Sequence, residues 1–173
     1  GFVESALEYN ASEISNNTLF NQVLPPFKAA VDAGLKTVMT SFNTINGIPA
    51  SGDKFLLRDV LKNKWGFNGF VISDWASIRE MIPWGFSKDE KAAAISAVEA
   101  GTDMDMEGGI YVPYLIDLVK QGKVKQEFVD DAVRRILRVK YELGLFDNPY
   151  RFLDEKREKE VIGSKANREA VLD

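Results

Sequence analysis

The sharpest chemical signal in the chain is a carboxylate delivered by an apolar run. Gly69-Phe70-Val71-Ile72-Ser73 is almost fully apolar and leads directly into Asp74 and Trp75. Such a run predicts a strand buried on both faces, as in a parallel sheet. Parallel α/β folds place their sites at strand carboxyl ends. A carboxylate there serves as nucleophile, base, metal ligand or phosphoacceptor. An adjacent indole offers an apolar platform suited to the C–H face of a sugar ring. The plainer alternative makes Asp74 a cap for the next helix and Trp75 a core residue. Two further strand ends carry candidates: Ser41, Phe42 and Asn43 at one, Asp103, Asp105 and Met106 at the other. Asp103 and Asp105 share a strand face and alone suggest a metal pair. The favoured reading is that one of them caps or hydrogen-bonds a neighbouring loop. Lys54, Lys62 and Lys64 fall on a predicted exposed helix face and read as solvated.

Composition narrows the chemistry. The 173 residues include 22 Lys and Arg against 26 Asp and Glu, for a formal charge of −4, with no His and no Cys. A disulfide framework, a thiolate nucleophile and a Ser-His-Asp triad are therefore excluded within the chain. The common zinc sites need Cys or His, and no metal or other cofactor is expected. The acidic balance argues against nucleic acid or an anionic membrane surface as partner. No apolar run reaches the roughly 18 residues of a membrane span. The chain opens at Gly1 without an initiator Met, which suggests processing or a piece of something larger.

The elements that must position these groups alternate. Apolar residues at helical spacing over 19–33 predict a helix whose regular part begins near Pro25 or Pro26. Residues 37–42 read as a strand, and 43–52 as a loop with turn signals at Asn46-Gly47 and Ser51-Gly52. Asp53 caps a helix running to about Trp65, with Phe55, Leu56, Val60 and Leu61 on one face. Ser87-Lys88-Asp89-Glu90 has the form of a capping box for a helix over 91–100. Residues 102–106 form a short strand. Helices over 112–120 and 126–143 follow. Residues 153–160 are dense in charge and read as a solvated linker. Alternation of this kind builds a parallel sheet from βα units. Three strands would leave edges and a bare face, and a complete (β/α)₈ barrel needs about 250 residues. The expected fold is α/β, a partial (β/α)₈ TIM-like barrel. Residues 1–147 are its C-terminal half, and 148–173 a linker to a further domain.

Several ordered motifs then become specific. Gly69-Phe70-Val71-Ile72-Ser73-Asp74-Trp75 resembles the nucleophile motif of glycoside hydrolase family 3, in its multidomain β-glucosidase and β-xylosidase branch. The resemblance extends through residues 38–50, Leu56-Leu57-Arg58-Asp59-Val60-Leu61 with Trp65-Gly66-Phe67, and residues 100–106. It closes with Val133-Arg134-Arg135-Ile136-Leu137 and residues 140–146. The resemblance implies a retaining exo-acting β-glycosidase, most simply a β-glucosidase, with Asp74 as catalytic nucleophile. Trp75 would line the aglycone side, and Met39 and Phe42 the sugar pocket. Where some relatives carry a Tyr hydroxyl near the nucleophile, this chain has Phe42. The partners implied are a small-molecule β-glycoside or oligosaccharide, the remaining barrel and a second domain, and the compartment implied is periplasmic or extracellular.

The departures are equally specific. The family's sugar-binding Lys-His pair, and an essential Asp and Arg, fall before the position of Gly1. The general acid/base of this branch belongs to the second domain. The N-acetylglucosaminidase branch uses an Asp-His pair in the loop matching about residues 1–10, where this chain has neither residue. Where the family usually shows Gly-Gly and a basic residue before Tyr9-Asn10, Ser5-Ala6-Leu7-Glu8 stands. The isolated chain is expected to be inactive. Two rival classes remain: a receiver-like signalling domain phosphorylated on Asp74, and a catalytically inactive sugar-binding or interaction module.

Overall fold

The computed structural model describes residues 9–172. They fall into two compact units, one ending at Val139 and the other beginning at Lys140. The first is α/β. Strand β1 (Ala11–Ser12) leads into α1 (Asn16–Thr18), a π-helical stretch (Leu19–Val23) and α2 (Leu24–Asp32). The Ser15 hydroxyl caps α1 by accepting the Thr18 N–H at 3.1 Å. Pro25 and Pro26 occupy the first turn of α2, where the missing N–H has no partner to lose.

Strand β2 (Thr37–Met39) lies parallel to β5 (Phe70–Ile72), with Val38 opposite Val71 and Met39 opposite Ile72. The strand expected over 37–42 ends early because the chain after it joins another sheet. There β3 (Thr44–Ile45) runs parallel to β1 and antiparallel to β4 (Ile48–Pro49). Asn46 and Gly47 form the two-residue turn between β3 and β4, at φ 51° and 81°. Asn-Gly tolerates that left-handed pair, whose twist matches the flanking strands. Much of the predicted 43–52 loop is thus a hairpin followed by a 3₁₀ turn (Ala50–Gly52).

Asp53 caps the next helix as its sequence position predicts, accepting the Leu56 N–H at 3.0 Å. That helix (Phe55–Lys64) is wound in π geometry, and Trp65 N–H closes onto Val60 O. The wider turn changes which positions face inward. Leu57, Val60, Leu61 and Lys62 are buried, whereas Phe55 is exposed. Lys62 therefore corrects the expectation of a solvated lysine. Gly69 then lets β5 approach the end of α2's connection, since a Cβ there would run into the Lys36 carbonyl.

The third strand shrinks to one residue, Met104, in a parallel bridge to Ile72. Asp103 explains the shortening. Its side chain accepts the Val71 N–H at 2.8 Å. The Asp103 and Met104 N–H groups both donate to Val71 O. A carboxylate thus takes the place of a backbone carbonyl in the ladder, bonding a strand and not the expected neighbouring loop.

Helices α3 (Ser77–Glu80), α4 (Glu90–Ala100), α5 (Tyr111–Lys120) and α6 (Gln126–Glu142) complete the elements. The cap of α4 is Asp89, not Ser87: Asp89 Oδ1 lies 2.8 Å from the Ala92 N–H. One buried cluster joins Ile78 and Met81 to Ala93, Ala97, Ile110 and Leu118. A second sets Leu57, Leu61, Phe67 and Ala100 around Val71. Both faces of the short sheet are not equally covered. Val71 is fully buried, while Met39 on the opposite face is half exposed.

In the second unit the charge-dense stretch is exposed but helical. Helix α7 (Glu155–Val161) is capped by Asp154, which accepts the Arg157 N–H. Lys156 lies 3.8 Å from Glu160, an i,i+4 spacing that supports a short helix. Helix α8 (Lys165–Leu172) follows.

Candidate active site

The carboxyl end of β5 carries Asp74 and Trp75, beside the end of β2 and the Met104 bridge. Three segments hold the Asp74 backbone. Its N–H donates to Thr40 Oγ1 at 3.2 Å. Its carbonyl accepts from Ser73 Oγ at 2.9 Å and from the Ser77 N–H at 3.1 Å. Ser73 Oγ in turn accepts the Met106 N–H at 2.8 Å, tying the Asp74 turn to the third strand end. Ala76 closes the turn at φ 57°, with its N–H donating to Met106 O. A non-glycine residue in that region is strained and persists only when its surroundings fix it. The Asp74 side chain is half-buried, and its Oδ1 accepts the Trp75 N–H at 2.7 Å. One carboxylate oxygen is thus oriented by its own turn.

The predicted companions surround this point unequally. Trp75 is 60% exposed, so its indole is a surface platform and not a core residue. Met39 sits at the end of β2, in register with Ile72 and on the opposite face from half-buried Val38 and buried Val71. Phe42 stacks on Tyr9, with ring centroids 4.4 Å apart and planes 21° off parallel. Tyr9 adopts φ 63°. The tetrapeptide Ser5-Ala6-Leu7-Glu8, and the first part of the loop over 1–10, lie outside the described residues.

The Asp103–Asp105 pair does not form a metal site. Asp103 is committed to Lys62 and to Val71. Asp105 Oδ2 accepts the Ile110 N–H at 2.6 Å, at the start of α5. Among the described residues, no group of three His, Cys, Asp or Glu side chains is placed to hold a metal ion.

Sequence reasoning missed a second carboxyl. Glu80, at the end of α3, lines an open hollow with Tyr9, Pro83 and Trp84. Burial pushes its carboxyl above the usual carboxylate range. A hydrogen bond from Tyr9 opposes the shift, and the Asp74 charge adds to it. No motif marks Glu80. Only the i+6 spacing from Asp74, across one turn and one short helix, could have suggested it. A carboxyl raised on folding favours the folded state fully below its unfolded value, and that preference is lost as pH rises through the folded value. Glu80→Gln should therefore gain thermal stability relative to wild type as pH rises from 4 to 7. Parallel melting temperatures across that range would remove the assignment.

Comparison with known proteins adds what the geometry lacks. The family model described as Glycosyl hydrolase family 3 N terminal domain matches residues 1–139. A periplasmic beta-glucosidase of Salmonella typhimurium is 45% identical over 93% of this chain and 21% of its own length. A putative beta-xylosidase of Formosa agariphila is 37% identical over 99% of the chain and 22% of its own length. Among solved structures, a mutant beta-glucosidase from Listeria innocua in complex with laminaribiose superposes with a TM-score of 0.91, at 40% identity over 97% of this chain and 23% of that one. A beta-glucosidase from Listeria innocua in complex with glucose gives a TM-score of 0.87 at 43% identity, over 90% of this chain and 22% of that one. The chain thus spans about a fifth of the length of the relatives it matches.

Proposed function

Because the chain belongs to glycosyl hydrolase family 3, we propose that it supplies the nucleophile portion of a retaining, exo-acting β-glycosidase, most simply a β-glucosidase. In this reading residues 1–147 are the C-terminal half of a (β/α)₈-type barrel. Residues 148–173 lead toward a second domain. The single observation that carries it is Asp74: a half-buried carboxylate at the end of an apolar strand, with its turn fixed by Thr40, Ser73 and Ser77.

The chemistry follows from two carboxyls held about 5–5.5 Å apart. Asp74 attacks the anomeric carbon as the glycosidic C–O bond breaks. The leaving oxygen takes a proton from an acid outside this chain. Water, deprotonated by that same group, then attacks the glycosyl-enzyme and frees Asp74, with net retention. Trp75, exposed beside the nucleophile, suits the aglycone side, where an apolar face stacks on a leaving sugar. Met39 and Phe42 line the opposite wall of the sugar pocket. The substrates are terminal non-reducing residues of small β-glycosides or oligosaccharides, as the glucose- and laminaribiose-bound neighbours suggest. A periplasmic or extracellular location fits the Salmonella relative.

Two measurements test the reading. The full-length enzyme should release β-glucose as the first product from an aryl β-glucoside, followed by NMR before mutarotation. First release of the α anomer would rule out retention. The 173-residue chain alone should show no turnover above that of its Asp74→Asn variant, since in this reading the acid lies outside it. Turnover that depends on Asp74 in the isolated chain would show instead that both carboxyls lie within it.

A further inference from the structure

Behind Asp74 lies a closed triangle of buried hydroxyls. Thr40 Oγ1 and Ser51 Oγ are 2.7 Å apart, Ser51 Oγ and Ser77 Oγ 2.7 Å, and Thr40 Oγ1 and Ser77 Oγ 3.4 Å. All three residues are buried. They come from three elements: the end of β2, the 3₁₀ turn after β4, and the start of α3. A fourth hydroxyl locks the middle member, as Thr102 Oγ1 donates to the Ser51 carbonyl at 2.9 Å.

A hydroxyl has one proton to give and two lone pairs to receive. Thr40 Oγ1 already receives the Asp74 N–H. One lone pair and its own proton remain for the triangle, where Ser51 Oγ and Ser77 Oγ lie within hydrogen-bond distance and either member of each pair can donate. Ser77 also holds the other side of the Asp74 peptide, since its N–H donates to the Asp74 carbonyl at 3.1 Å. The same small network thus grips both ends of the nucleophile residue. Buried networks of this kind are rigid when every member is satisfied, and costly when one is removed.

We propose that Thr40, with Ser51 and Ser77, is a positioning residue for glycosyl transfer to Asp74: the hydroxyl triangle fixes the backbone from which the carboxylate is aimed. The inference rests on Asp74 being the nucleophile. All three residues are buried, and each acts through the Asp74 turn. Misplacing an attacking group by about 1 Å costs on the order of 10²-fold in rate.

The test uses the full-length enzyme and a 2-deoxy-2-fluoro-β-glucosyl fluoride, with covalent labelling of Asp74 followed by intact mass. Thr40→Val keeps the shape and removes the acceptor. It should slow labelling and lower kcat by about 10²-fold, with KM changed less than about threefold. Thr40→Ser restores the hydroxyl and should stay within about threefold of wild type in both. Asp74→Asn should take no label. Labelling by Thr40→Val at the wild-type rate overturns the positioning role, and so does an equal fall in Thr40→Ser. If Thr40→Val does not fold, Ser77→Ala carries the test: a slowing of about tenfold supports the triangle, and an unchanged rate overturns it. Wild-type turnover by Asp74→Asn overturns the nucleophile reading and the positioning role together. Loss there with an unaffected Thr40→Val overturns the positioning role alone.

Discussion

Asp74→Asn in the full-length enzyme should lose aryl β-glucoside hydrolysis by about 10⁴-fold or more, the order lost when a covalent nucleophile is removed from a hydrolytic site. The fold should persist. The contacts that hold residue 74 are mostly made by its backbone, to Thr40, Ser73 and Ser77. Among the described residues its side-chain hydrogen bond, from the Trp75 N–H to Oδ1 at 2.7 Å, is one an amide oxygen also accepts. Charge is what Asn removes, and with it the ability to form the glycosyl ester. A melting temperature near wild type together with absent turnover separates chemistry from folding. A second variant makes the role explicit. Asp74→Gly opens space on the face from which the carboxylate attacks, so azide can take its place. With an activated β-glucoside, azide forms the new bond to the anomeric carbon and the activated group leaves, giving the α-glucosyl azide. A β-azide, or wild-type hydrolysis by Asp74→Asn, would mean that another group attacks.

Much of this was legible in the sequence, for reasons that differ by element. The run ending in Asp74 is readable as a strand because it is short and apolar, although only Val71 is fully buried and Phe70 and Ile72, on the other face, are half-buried. Asn46-Gly47 is readable because left-handed turns restrict residue type. Asp53 is readable because a cap is a local bond, from side chain to backbone three residues on. What was hidden depends on distance along the chain. Thr40, Ser51 and Ser77 meet across 11 to 37 positions, and a small hydroxyl leaves no periodic trace. Lys62 was hidden for a geometric reason. Its solvated reading assumes an ordinary α-helical period, and the π winding of Phe55–Lys64 turns it inward. Ser87 failed as a cap because Asp89, two residues on, competes for the same role with a better-placed oxygen.

Lys62→Met should destabilise the protein by about 3–5 kcal/mol, the range for breaking one half of a buried ion pair. Lys62 Nζ lies 2.6 Å from Asp103 Oδ1, and the two side chains are 1% and 2% exposed. Burial pushes the Asp103 carboxyl up and the Lys62 ammonium down, and each charge only partly offsets the loss of water for the other. Asp131 stands 3.9 Å from Lys62, but Arg135 already holds that carboxylate at 2.9 Å. Methionine fills the volume of the lysine stem without the charge, so the cost falls on Asp103, left with the Val71 N–H as its remaining short partner. Asp103→Asn in the Lys62→Met background should recover most of the loss. The amide oxygen keeps the Val71 bond, and no charge stays buried. The pH dependence has a fixed sign. A carboxyl raised on folding favours the fold below its unfolded value and opposes it as pH rises through the folded value. The Lys62→Met deficit should therefore be smaller at pH 4 than at pH 7, where Asp103 must ionise without its partner. Urea unfolding at both pH values, on the single and double variants, checks all three statements. A deficit that is equal at both pH values, or unrelieved by Asp103→Asn, would show that Lys62 contributes by packing its stem and not by its charge.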